Sequence, residues 1–73
     1  MLNGKKIREI RLRLGYTTLD IQNLTKNPRF ETSISKSSLE ELERGDKSNP
    51  SFQKVVVLAK VLRCRVDDLI LSA

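Results

Sequence analysis

A 73-residue chain with a formal net charge of +5 has room for one small domain and a bias toward polyanionic partners. Its single cysteine, Cys64, allows no disulfide within the chain, and the lack of any histidine removes the usual zinc-ligand sets. No apolar run approaches the length of a membrane span, and the opening Met-Leu-Asn-Gly-Lys-Lys has no apolar stretch behind it of the kind a secretory leader needs.

The first predicted helix covers about residues 3–14. Ile7, Ile10 and Leu14 share one helical face, and Gly15 supplies a left-handed stop. Leu12 falls off that face and is expected at the surface. The second helix, about 18–26, opens after Thr17 or Thr18, either of which can cap it, and Asp20 suits the positive end of the helix dipole. Leu19 or Ile21, with Leu24, are its expected apolar side. Asn27-Pro28 ends it, because the residue before proline is pushed from helical angles. Residues 26–33 then form a long loop whose Phe30 is expected to fold back on the core.

The third helix spans about 35–44. Ser33 or Ser35 can cap it, while Ser37 or Ser38 with Glu40 or Glu41 offers an alternative capping box. Ile34, Leu39 and Leu42 are its anchors and Gly45 its stop. The fourth helix, about 51–62, begins near Pro50 or Ser51 and carries Phe52, Val55, Val56, Leu58, Ala59 and Leu62, which makes it the most apolar segment and the expected centre of the core. A short fifth helix at 66–71 completes an all-α set in one domain, with no strands.

Charge is unevenly spread. Residues 1–16 carry five cations and one acid, whereas residues 34–45 carry Lys36 and Arg44 against Glu40, Glu41 and Glu43. A third helix rich in hydroxyls at its start suits a groove reader, yet its body is the acidic part of a basic chain.

The run Ile7-Arg8-Glu9-Ile10-Arg11 with Leu14-Gly15-Tyr16-Thr17 resembles the first helix and turn of the phage-repressor-like, Cro-like helix-turn-helix domains. Leu39-Glu40-Glu41-Leu42-Glu43-Arg44-Gly45 with Asn49-Pro50-Ser51-Phe52 is similar to their third helix and following loop, and Leu58-Ala59-Lys60-Val61-Leu62 with Val66-Asp67-Asp68-Leu69 to their last two. The resemblance implies a five-helix domain whose helices 2 and 3 read double-stranded DNA, the N-terminal end of helix 3 lying in the major groove. Carried over, Lys36, Ser37 and Glu41 face the bases, and Ser35 a phosphate. Lys36 suits guanine O6 and N7, and Glu41 a cytosine amino group. Thr17 and Thr18 sit where helix 2 meets the backbone, and Arg44, Lys47 and Asn49 where the family grips it again. Arg11 and Glu43 hold positions that pair between helices 1 and 3. Thr18 stands where glutamine is usual, which shortens or removes one phosphate contact. Arg63 stands where a glycine commonly ends helix 4, and the 26–33 loop exceeds the family's tight turn.

The expected protein is a sequence-specific transcription regulator of bacterial or phage cytoplasm, bound as a homodimer to a two-fold operator. A protein-interaction module on the same fold, antirepressor- or antitoxin-like, is the alternative, since fold does not fix function. No cofactor, metal or small-molecule ligand is expected. Catalysis is not expected either, for want of histidine or a glycine-rich phosphate loop, and Cys64 is expected to be a buried, inert thiol.

Overall fold

Asn3 starts the chain's first helix: its Oδ1 accepts the Lys6 N–H at 3.1 Å, and α1 (Gly4–Arg13) follows. The computed structural model describes residues 2–45 and 50–70. After α1 come α2 (Thr18–Thr25), α3 (Lys36–Arg44), α4 (Phe52–Val61) and a 3-10 turn over Val66–Leu69. Among the described residues the count is therefore four α-helices and a 3-10 turn, not five helices. Asp68 caps that last segment by accepting the Arg65 N–H, but Arg65 and Ile70 on either side of it are extended, so only one tight turn forms. Ile70 instead pairs in an antiparallel bridge with Leu2, reinforced by a 2.8 Å bond from the Asn3 N–H to the Leu69 carbonyl. The described ends of the chain are thus tied to each other.

The core gathers Ile7 and Ile10 of α1, Ile21 of α2, Ile34 and Leu39 at the start of α3, and Val57, Leu58, Val61 and Leu62 of α4 with Leu69. Phe30 packs against it from the long loop, and Tyr16 and Cys64 lie half-buried against it, so Cys64 is less enclosed than the buried thiol expected. Burial pushes the Cys64 thiol pKa up, and the nearby Asp68 carboxylate adds to the effect, which keeps it in its unreactive protonated form. Leu12 lies at the surface. Two expected core positions do not hold. Leu24 is exposed because the inward stripe of α2 runs through Ile21 and Thr25, one turn apart, and leaves Leu24 on the flank. Phe52, the first residue of α4, is 74% exposed because the buried face of that helix starts only at Val55.

Each α-helix has a side-chain cap at its start. Thr17 and Asp20 form a reciprocal capping box on α2, while Ser35 and Ser51 cap α3 and α4. The alternative box starting from Ser37 or Ser38 does not form, since those residues already lie inside α3. Helix ends are as regular. Gly15 follows α1 at φ +80, with Tyr16 N–H bonded to the Arg11 carbonyl and Gly15 N–H to that of Leu12, the paired bonds of a Schellman motif.

The same motif closes α4 without a glycine. Cys64 N–H bonds the Ala59 carbonyl at 3.0 Å, Arg63 N–H bonds that of Lys60 at 3.2 Å, and Arg63 itself takes φ +56. The helix ends as a glycine would end it, with an arginine held in left-handed geometry at a cost of about 1 kcal/mol. Arg63→Gly is therefore expected to stabilise the protein by up to about 1 kcal/mol, less the larger chain entropy that glycine brings to the unfolded state. Urea melts of the two proteins check it, and a loss of stability would show that the exposed arginine side chain contributes more than its backbone strain costs.

Candidate nucleic-acid interface

Thr25 and Ile34 fix how α2 meets α3. The Thr25 hydroxyl is buried, accepts the Ile34 N–H at 3.0 Å and lies 2.9 Å from the Ile21 carbonyl, to which it donates. A polar residue holds this core position because the buried Ile34 N–H takes this hydroxyl as its acceptor. One helical turn earlier, Gln22 reaches across so that its Oε1 accepts the Lys36 N–H at 2.7 Å, satisfying a donor in the first turn of α3. Residues 26–33 leave and return through this clamp. Inside the loop Asn27 caps a turn by accepting the Arg29 N–H, and the Arg29 guanidinium sits 5.2 Å from the Phe30 ring centre. The extra loop length is an excursion from a fixed base, so the placement of α3 on α2 depends on Thr25, Ile34, Gln22 and Lys36.

Behind α3 lies the fork between Arg11 and Glu43. Arg11 Nε donates to Glu43 Oε2 at 2.7 Å and Nη2 to Oε1 at 2.9 Å, with the two side chains only 10% and 7% exposed. Nη1 donates to the Tyr16 carbonyl at 2.8 Å, so the guanidinium also ties down the turn after α1. Glu43's hydrogen bonds raise the Arg11 pKa above its ordinary value against the opposing effect of burial. This charge pair removes Glu43 from the electrostatics of the outer face.

An open groove of about 690 Å³ runs between α1, the start of α2 and α3, lined among others by Arg8, Thr17, Thr18, Glu40 and Arg44. Arg8 carries no contact role in the sequence, where it is one of several cations in helix 1. Its meaning is positional, because the fold brings it to the same groove as Arg44. The hydroxyls at this face differ in what they still offer. Thr17 Oγ1 accepts the Asp20 N–H, and Ser35 Oγ accepts the Ser38 N–H, so in both the cap uses a lone pair and leaves the proton to donate. The Thr17 N–H, however, is taken by Asp20 Oδ2 at 2.9 Å, which puts a carboxylate at the start of α2. Thr18 is different again: its hydroxyl donates to Glu40 Oε2 at 3.2 Å.

Glu40 does not stand away in solvent, as the simplest account of an acidic α3 would want. Its Oε2 also receives the Lys36 ammonium at 3.2 Å, one helical turn away. The bond from Lys36, together with smaller contributions from Thr18 and Arg44, holds the Glu40 carboxyl below the usual carboxylate range. Ser37 and Arg44 are exposed on α3, while Glu41 is half-buried. Lys47 and Asn49 lie outside the described residues.

Residues 7–69 match the family model described as helix-turn-helix. The chain belongs to the helix-turn-helix family. The matched span takes in all of α2, α3 and α4, and therefore the clamp, the fork and the groove. The family is one of DNA-binding transcription regulators of the Cro type. No curated protein and no solved structure matches the chain. Among the described residues no helix is long and apolar enough to cross a membrane.

Proposed function

We propose that this helix-turn-helix chain is a sequence-specific regulator that lays the start of α3 in the major groove of double-stranded DNA, as a homodimer on a two-fold operator. The observation that carries the reading is the rigid presentation of that turn. Lys36 and Ser37 are exposed at the tip of a helix that is clamped to α2 by Gln22 and Thr25 and to α1 by Arg11. A reader must hold its side chains in fixed register with the base edges, and two independent clamps give that register. Ser35 and Thr17 then offer hydroxyl protons to flanking phosphates, Arg8 and Arg44 supply charge, and Lys47 and Asn49 extend the grip. Glu41 suits a cytosine amino group.

The protein-interaction reading draws on Phe52, whose 74% exposure leaves a large ring to gain from a protein partner. The same ring serves a second subunit equally well in the DNA-binding reading.

Selection from a randomised duplex pool, repeated across salt, tests the proposal. A regulator enriches one sequence and loses affinity steeply as salt rises. Lys36→Ala is expected to cost about 1–3 kcal/mol on the selected duplex and to relax preference at one base pair, whereas Arg44→Ala weakens all duplexes alike and flattens the salt slope. A pool that returns unselected at low salt would leave the protein-interaction reading standing.

A further inference from the structure

Lys36 and Thr18 are both engaged before any DNA arrives, and by the same oxygen. Glu40 Oε2 takes the ammonium of one and the hydroxyl of the other, each at 3.2 Å, from two different helices. An anionic oxygen that draws in a lysine and a threonine hydroxyl at the mouth of a helix pair is what a backbone phosphate would supply there. We propose that Glu40 is an internal phosphate mimic, a carboxylate that occupies the Lys36 and Thr18 donors in the unbound protein and that DNA must displace. This rests on the DNA-binding reading above and adds a residue that sets its threshold.

The consequences follow from charge. When Lys36 swings to a base edge, Glu40 loses the ammonium bonded to it just as phosphates approach. The other charged groups near it are Arg44 on α3 and Arg11 on α1, with Arg8 and Glu43 also on the rim of the groove. Arg11 is already committed to Glu43. Glu40 therefore sits in a more negative field in the complex than in the unbound protein, and its affinity for a proton rises on binding. The complex then holds more protons than its parts, so affinity increases as pH falls, by at most tenfold per unit for one group. The mimic also favours the correct site. A duplex that offers Lys36 a guanine replaces the ion pair it breaks, and one that does not gives Lys36 nothing in return for it.

The experiment compares wild type with Glu40→Gln, which keeps the shape and removes the charge, on the selected duplex and on a scrambled one, by fluorescence anisotropy from about pH 4 to about pH 7. Glu40→Gln is expected to bind the scrambled duplex about tenfold more tightly near neutral pH, to gain less on the selected one, and to lose the pH dependence that wild type shows. Equal or weaker binding by Glu40→Gln, with the pH dependence intact, would overturn the mimic and make Glu40 a productive positioner of Lys36. A second measurement needs no DNA. NMR titration of the Glu40 carboxyl should move toward the ordinary glutamate range in Lys36→Met, and an unmoved titration would show that the contact does not exist in solution. If neither protein binds any duplex while that titration moves as expected, the internal contact is real but the DNA reading fails, and the mimic fails with it.

Discussion

Arg11→Ala and Glu43→Ala are each expected to destabilise the protein by about 3–5 kcal/mol, the range for breaking a buried ion pair on one side. The fork is bidentate and little exposed, so solvent screens it weakly and the usual discount for surface pairs does not apply. Either truncation leaves a charge with nowhere to go. Removing Arg11 strands Glu43 in the last turn of α3, where the helix dipole already disfavours an acid, and also strips the Tyr16 carbonyl of its guanidinium donor. Removing Glu43 leaves Arg11 with the Tyr16 carbonyl as its one remaining acceptor among the hydrogen bonds described above. A chain of this size has a total stability of about 4–11 kcal/mol, so either change removes much of it. Thermal melts should fall by about 15–30 °C.

The double variant separates the pair from its parts. Arg11→Ala with Glu43→Ala should cost clearly less than the two single losses added together, because no lone charge remains. Arg11→Met with Glu43→Leu should recover most of the stability by filling the same space with apolar atoms. Arg11→Lys should not recover it, since one ammonium cannot donate along two parallel lines and also reach the Tyr16 carbonyl. Single variants that melt within a few degrees of wild type would place both groups in water and dismiss the fork as a structural element.

How much of this was legible in the sequence depends on whether a residue's role is local or set by packing. The core stripe of α1 through Ile7 and Ile10, the glycine stops and the anchors Leu39 and Leu42 follow from helical periodicity and turn chemistry, and the structure holds them there. Apolarity points to Leu24 for the α2 stripe, but a threonine, Thr25, takes the inward position, and its value lies in a bond to Ile34 across the long loop. That partner is nine residues away through a segment with no period to read. Val66, Leu69 and Ile70 are apolar enough for a fifth helix, while the bridge to Leu2 that draws Ile70 into extended backbone is a long-range event. The same holds for the site. The hydroxyls and Lys36 were readable as groove-facing types, but the Glu40 contact needs the α2–α3 docking angle, and Arg8 gains its place only when α1 lies beside α3. Gly4, finally, gave no signal at all, since a glycine at the start of a helix is unremarkable until its neighbour is known.

Gly4→Ala sets two physical effects against each other, and their magnitudes decide the outcome. By helix propensity alone the change should stabilise α1, by up to about 1 kcal/mol. By packing it should fail, because a methyl group at Gly4 would fall on the Leu42 carbonyl oxygen, 2.6 Å from that of Glu43 and 2.9 Å from the Glu43 carbonyl carbon. These atoms are backbone, at the C-terminal end of α3, and cannot turn aside as a flexible side chain does. Relief requires α1 and α3 to separate, and that displacement reaches Glu43 at the other end of the Arg11 fork. Overpacking of this kind costs about 1–3 kcal/mol where neighbours can yield, and here the upper end is expected, with Gly4→Val worse still. The net effect of Gly4→Ala should then be a loss of about 2–3 kcal/mol, read from urea denaturation at constant slope. It should also weaken binding to the selected duplex, since α3 is displaced from its bed on α1, whereas a surface change of similar size should not. A Gly4→Ala protein as stable as wild type would mean that the two helices pass each other with a methyl group to spare, and the close seating of α1 on the end of α3 would have to be abandoned.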